Sequence, residues 1–152
     1  MNTTLTDEQT SDTETLNALL RSEMSAVETY TEAMGKFNDQ LVIADLQKIR
    51  DEHSRAVREL RDHVVRSGGR PSDGPKAWGV FISAIGGEKS AVSPATVLAA
   101  LRQGEECSMS EYEAALEKEM HPDCQRMIRT DLIMACRNHV EELNRLLGGM
   151  KN

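Results

Sequence analysis

The sequence predicts an all-α protein: a four-helix bundle with a long crossover, containing a short helix, between helices 2 and 3. Three observations predict it. The 152 residues are rich in Ala, Leu, Met, Glu and Arg, hold only 3% aromatics and lack β-branched runs, a composition that favours helices packed on helices. Four stretches carry apolar residues at helical spacing, separated by turn residues. One stretch also repeats: Gly104–Leu116 shifted back by 82 positions lies on Ser22–Met34, so that Glu105 falls on Glu23, Tyr112 on Tyr30 and Ala115 on Ala33.

The polar, Thr-rich residues 1–10 read as a disordered tail, and residues 11–150 as a single domain. Ser11-Asp-Thr-Glu14 reads as a capping box opening helix 1 at about residue 12. That helix carries Leu16, Leu19, Leu20, Val27, Tyr30, Met34 and Phe37 on one face, and Asn38-Asp39 ends it. Helix 2, from about 40 to 67, uses Val42, Leu46, Ile49, Val57, Leu60 and Val64, and Gly68-Gly69 stops it. So short a link between helices 1 and 2 requires an antiparallel hairpin.

Three prolines and six glycines then break the pattern between Gly68 and Pro94. The apolar piece Lys76–Ile85, with the sole tryptophan Trp78, reads as a short helix laid across the bundle. Ser93-Pro94 form an N-cap and first-turn pair for helix 3, which runs to about Met120 on Val97, Leu98, Leu101, Met109, Tyr112 and Leu116. After His121-Pro122-Asp123, helix 4 uses Ile128, Leu132, Ala135, Leu143 and Leu146, and stops at Gly148-Gly149. A helix of 25 residues is roughly 37 Å long, a distance the crossover can span. Two hairpins joined by this one long crossover make an up-down-down-up bundle.

Composition also excludes functions. A net charge of −7 leaves no basic face for nucleic acid. No run approaches membrane-spanning length, and the N-terminus has no apolar core for a signal peptide. Cys107, Cys124 and Cys136 form no CxxC pair and read as inert thiols in a reducing cytoplasm. No Ser-His-Asp set, P-loop or dinucleotide fingerprint is present.

Each apolar stripe is interrupted by one ionisable residue: Glu23, His53, Glu105 and His139. Glu23 and His53 each lie fifteen residues from Asn38, and Glu105 and His139 each lie seventeen from Pro122. The two hairpins therefore bring all four level, near the middle of the bundle. Burying two carboxylates without a cation costs several kcal/mol. One divalent metal (Fe, Zn or Mn) would compensate them, since two imidazoles and two carboxylates suit such ions.

Glu23-Met-Ser-Ala26-Val-Glu-Thr-Tyr30 resembles the helix 1 signature of the ferritin-like superfamily, in which the matching glutamate is a di-iron ligand. From Leu16 to Leu147 the chain is similar to an uncharacterised bacterial family of ferritin-like four-helix bundles. Leu16-Asn17, Glu59-Leu60, Gly68-Gly69-Arg70-Pro71, Trp78, Gly104-Glu105, Tyr112 and Ala115-Leu116 carry this likeness. The resemblance implies the fold far more than any reaction. A full di-iron site takes a Glu-x-x-His pair from helix 2 and another from helix 4. Here Arg50 precedes His53 by three and Cys136 precedes His139 by three, so the di-metal site is degenerate.

Two readings stay open. In one, Glu23, His53, Glu105 and His139 hold a single metal, with Cys136 as an extra ligand, and the protein is a mononuclear metal-binding protein or metal-dependent oxidoreductase. In the other, preferred from sequence, the Arg50 guanidinium pairs with Glu23 or Glu105. The protein is then non-enzymatic, structural or interaction-mediating, and stress-associated by analogy. The direction of Arg50 separates the two. Glu28, Glu52, Glu106, Asp131 and Glu142 read as solvated acids, His63 as a boundary histidine and His121 as a cap. Tyr30 and Tyr112 are placed to donate to the glutamates. Helix 1, or the crossover with Trp78, Val80, Phe81 and Ile82, offers apolar surface, so a homodimer is expected.

Overall fold

The structure, a computed structural model, describes residues 7–74 and 92–150, with side chains from Asp12 onward. Helices α1 (Asp7–Met34) and α2 (Gln40–Arg66) form the first hairpin. Helix α3 (Pro94–Leu116) pairs with α4, a continuous rod in three phases: α-helical Pro122–Met127, a π segment Ile128–Ile133, and α-helical Met134–Gly149. The expected short helix at 76–85, with Trp78, Val80, Phe81 and Ile82, lies outside the described residues.

Local chemistry sets the ends. Asp39 caps α2 by accepting the Leu41 N–H at 2.9 Å, and Ser93 caps α3 by accepting that of Thr96 at 3.2 Å. Gly68, at φ 85°, closes α2 in a left-handed turn: its N–H bonds Val65 O and that of Gly69 bonds Val64 O, both at 3.0 Å. Three boundaries differ from the sequence reading. Helix α1 begins at Asp7, so the Ser11–Glu14 box lies inside it. Helix α3 ends at Leu116 instead of Met120, leaving His121 free to cap α4 by accepting the Asp123 N–H. Gly148 and Gly149 belong to the last turn of α4 and do not stop it.

The core falls into two apolar clusters. One holds Leu16 and Leu20 of α1, Leu60 and Val64 of α2, Tyr112 of α3, and Ile128 and Leu132 of α4. The other holds Tyr30, Leu46, Ile49, Leu98, Leu101 and Leu143. Along α1 and α4 the chain passes from the first cluster to the second; along α2 and α3 it passes back. The bundle is therefore up-down-down-up. The crossover leaves α2 along α1, pinned by Asn17, which accepts the Ser72 N–H and donates to Arg70 O, and by Arg21 donating to Ser72 Oγ.

Candidate metal centre

Between the two clusters lies a polar layer, built from the residue that interrupts each stripe. Glu23, His53, Glu105 and His139 are all buried, Glu105 completely. The level predicted from the hairpins is the level observed. A single hydrogen-bonded row runs through them. Glu23 Oε2 lies 2.5 Å from His53 Nδ1, and His53 Nε2 lies 2.7 Å from Glu105 Oε2. Glu105 Oε1 lies 3.1 Å from His139 Nδ1, and His139 Nε2 lies 3.1 Å from Oε1 of Glu52. The two imidazole rings sit 4.9 Å apart, tilted by 49°.

Glu52 is the member that sequence reasoning missed. Its place at the edge of the α2 stripe reads as that of a solvated acid, whereas the side chain is half-buried. Its signal was present: Ile49 and Ala56, three before and four after it, are both buried and share its face. Glu28 and Glu106 are exposed as expected. Glu142 pairs with Arg145, which also bonds Asp45 at 3.0 Å. Tyr30 donates to Glu105 Oε2 at 2.6 Å and stacks on His53 at 5.3 Å. Tyr112, its counterpart in the repeat, has a buried hydroxyl with no partner among the described residues.

Arg50 does not enter the centre. Its guanidinium reaches Asp51 at 3.4 Å, with about a quarter of the side chain exposed. The charge compensation expected of Arg50 falls instead to His53. Both nitrogens of His53 face carboxylates, and both bonds are donated only when the ring is protonated. Burial alone disfavours that imidazolium, but Glu105 and Glu23 outweigh it and hold the His53 pKa well above its usual value. Burial likewise works against an ionised Glu105, yet the His53 charge and the bonds from His139 and His53 keep it far below the carboxylate range. Burial, then Glu105, pushes the Tyr30 hydroxyl up. Burial, then Glu105 and Glu23, pushes up the Cys136 thiol and keeps it a neutral S–H.

One nitrogen of each histidine and one oxygen of Glu105 all lie within 4.8 Å of one another, a donor set able to hold one cation. A second cation would lack ligands, since Arg50 and Cys136 occupy the positions of the Glu-x-x-His carboxylates.

Fold and centre together define a ferritin-like four-helix bundle with a buried imidazole–carboxylate core. The chain belongs to the domain-of-unknown-function family DUF2383, whose pattern matches residues 11–118. It also superposes on a crystal structure described as ferritin like, diiron-carboxylate proteins from Bacillus anthracis str. Ames. The TM-score is 0.75 at 21% identity, covering 93% of this chain and 99% of that one. At that identity the likeness is one of fold. No curated protein matches the chain.

Proposed function

We propose that the protein is a mononuclear metal-binding member of the ferritin-like fold, holding one divalent Fe, Zn or Mn ion through His53, Glu105 and His139. The observation carrying this reading is that the three donors converge while Arg50, the cation that would replace a metal, is paired outside with Asp51. Glu23 orients His53, and Glu52 orients His139, as carboxylates behind metal-bound imidazoles do. A bound ion would supply Lewis acidity and, if iron or manganese, one-electron chemistry. Cys136 stands near Glu105 as a neutral thiol. The description of the Bacillus anthracis neighbour as a diiron-carboxylate protein supports a metal-binding reading; Arg50 and Cys136 limit it to one ion.

Metal content measured by inductively coupled plasma mass spectrometry, on protein purified without a histidine tag, tests the reading. About one equivalent is expected, and it is lost in His139→Ala and Glu105→Gln. Protein that is metal-free and takes up no added Fe, Zn or Mn would overturn the proposal. The His53 imidazolium would then be the permanent charge compensator, and a structural or interaction role would stand in its place.

A further inference from the structure

The hydrogen-bonded row through the centre is buried at one end and open at the other. Glu23, His53, Glu105 and His139 keep 4% or less of their side chains exposed, whereas Glu52, which closes the row on His139 Nε2, keeps 31%. Beside Glu52 lies a cavity of about 350 Å³ between α2 and α4, the helices that carry the two ligand histidines. Its α2 wall holds Glu52, Arg55, Ala56 and Glu59, and its α4 wall includes Asp131 and Ala135. Asp131 belongs to the π segment, whose extra residue per turn widens the helix at that wall. A second hollow at Glu52 is lined by α2 residues alone and so leads between no helices.

We infer that the α2–α4 cavity is the port through which the central site exchanges its divalent cation with solvent, Glu52 being the carboxylate that meets the ion first. The inference rests on the metal-binding reading above. The route is short. His139 meets Glu52 with Nε2 and Glu105 with Nδ1, each at 3.1 Å, so this one ring separates an ion at Glu52 from the central carboxylate. Turning the ring about its own side-chain bonds opens the way. Charge favours the same route. Burial, then Asp131, raises the Glu59 pKa to about 7, so at pH 8 the walls set the carboxylates of Glu52, Glu59 and Asp131 against the single guanidinium of Arg55. A cleft dominated by one sign of charge gathers counter-ions and raises association rates about tenfold or more.

Rapid mixing of the metal-free full chain with manganese(II) at pH 8 tests the port, read by loss of the electron paramagnetic resonance signal of the free ion. Ala135→Phe fills the mouth from a half-buried position without altering a charge. It is expected to slow uptake several-fold while the final occupancy stays at the wild-type value. Asp131→Asn, at an exposed position, is expected to slow uptake about threefold at low salt and less at high salt, as loss of a steering charge does. Should Ala135→Phe fail to fold by circular dichroism, Asp131→Asn decides alone. Uptake as fast as the wild type in either folded variant overturns the inference and leaves the central site standing. A wild-type chain that takes up no Fe, Zn or Mn removes the central site itself, and the port with it.

Discussion

Glu105 is the residue on which the centre turns, because its carboxylate, with no exposed surface, takes bonds from Tyr30, His53 and His139 on three different helices. That density of donors is what lets its charge stay buried. The opposite case lies nearer the surface, on the α2–α4 face. Glu59 is part-buried beside Asp131, and burial, then that neighbouring carboxyl, raises its pKa from 4.5 to about 7. Between those values the folded chain keeps a proton that the unfolded chain has lost. Stability therefore falls as pH rises through this window. Glu59→Gln removes the dependence. We expect the variant to match the wild type in thermal melts at pH 4.5, where both side chains are neutral. At pH 8 it is more stable by about 1 kcal/mol or less, since Glu59 is only part-buried and solvent screens the pair. A variant offset that is equal at the two pH values would remove the Glu59–Asp131 pair as its source.

At the scale of elements, the turn after α2 does two jobs: it ends the helix at Gly68 and brings the chain against α1. A Cβ built on Gly69 would stand 2.2 Å from Thr13 Cγ2 and 2.9 Å from its Oγ1. Thr13 cannot swing aside cheaply, being β-branched in a helix and bonded to Ser67 Oγ at 3.0 Å. Gly69→Ala is therefore expected to destabilise by about 1–3 kcal/mol in urea unfolding, and Thr13→Ala in the same chain to recover most of it. A Gly69→Ala protein as stable as the wild type would show that this approach is loose. The Gly68-Gly69 stop was legible in sequence because a left-handed residue after a helix calls for glycine. The antiparallel pairing, the long crossover and the four level residues were legible for a similar reason, since hairpin lengths fix height. Glu52 and the outward Arg50 were not. Both lie beside His53 at the stripe boundary, where helical period gives a position to within one residue, and a long side chain decides its own direction. The π segment was invisible too. Ile128-Arg-Thr-Asp-Leu-Ile133 has no glycine or proline to mark it, and it widens α4 ahead of Cys136 and His139.

In the whole molecule, the polar layer cuts the hydrophobic core in two, so neither apolar cluster alone fastens all four helices across the middle. A cation at His53, Glu105 and His139 would tie α2, α3 and α4 together there, and Glu23 would join α1 to them through His53. Ligand that binds only the folded state stabilises it by about 2.7 kcal/mol at a hundred times its Kd. In a domain near 150 residues this raises Tm by about 5–10 °C. Manganese(II) is the ion to use, because it takes carboxylate oxygen in preference to thiolate. We expect the rise in wild-type protein, its reversal by a chelator, and no rise in His139→Ala. The same rise in His139→Ala would place the ion elsewhere. No rise in either protein would mean that the His53 imidazolium already closes the centre, and that the fold has kept the level of a metal site while filling it with its own protons.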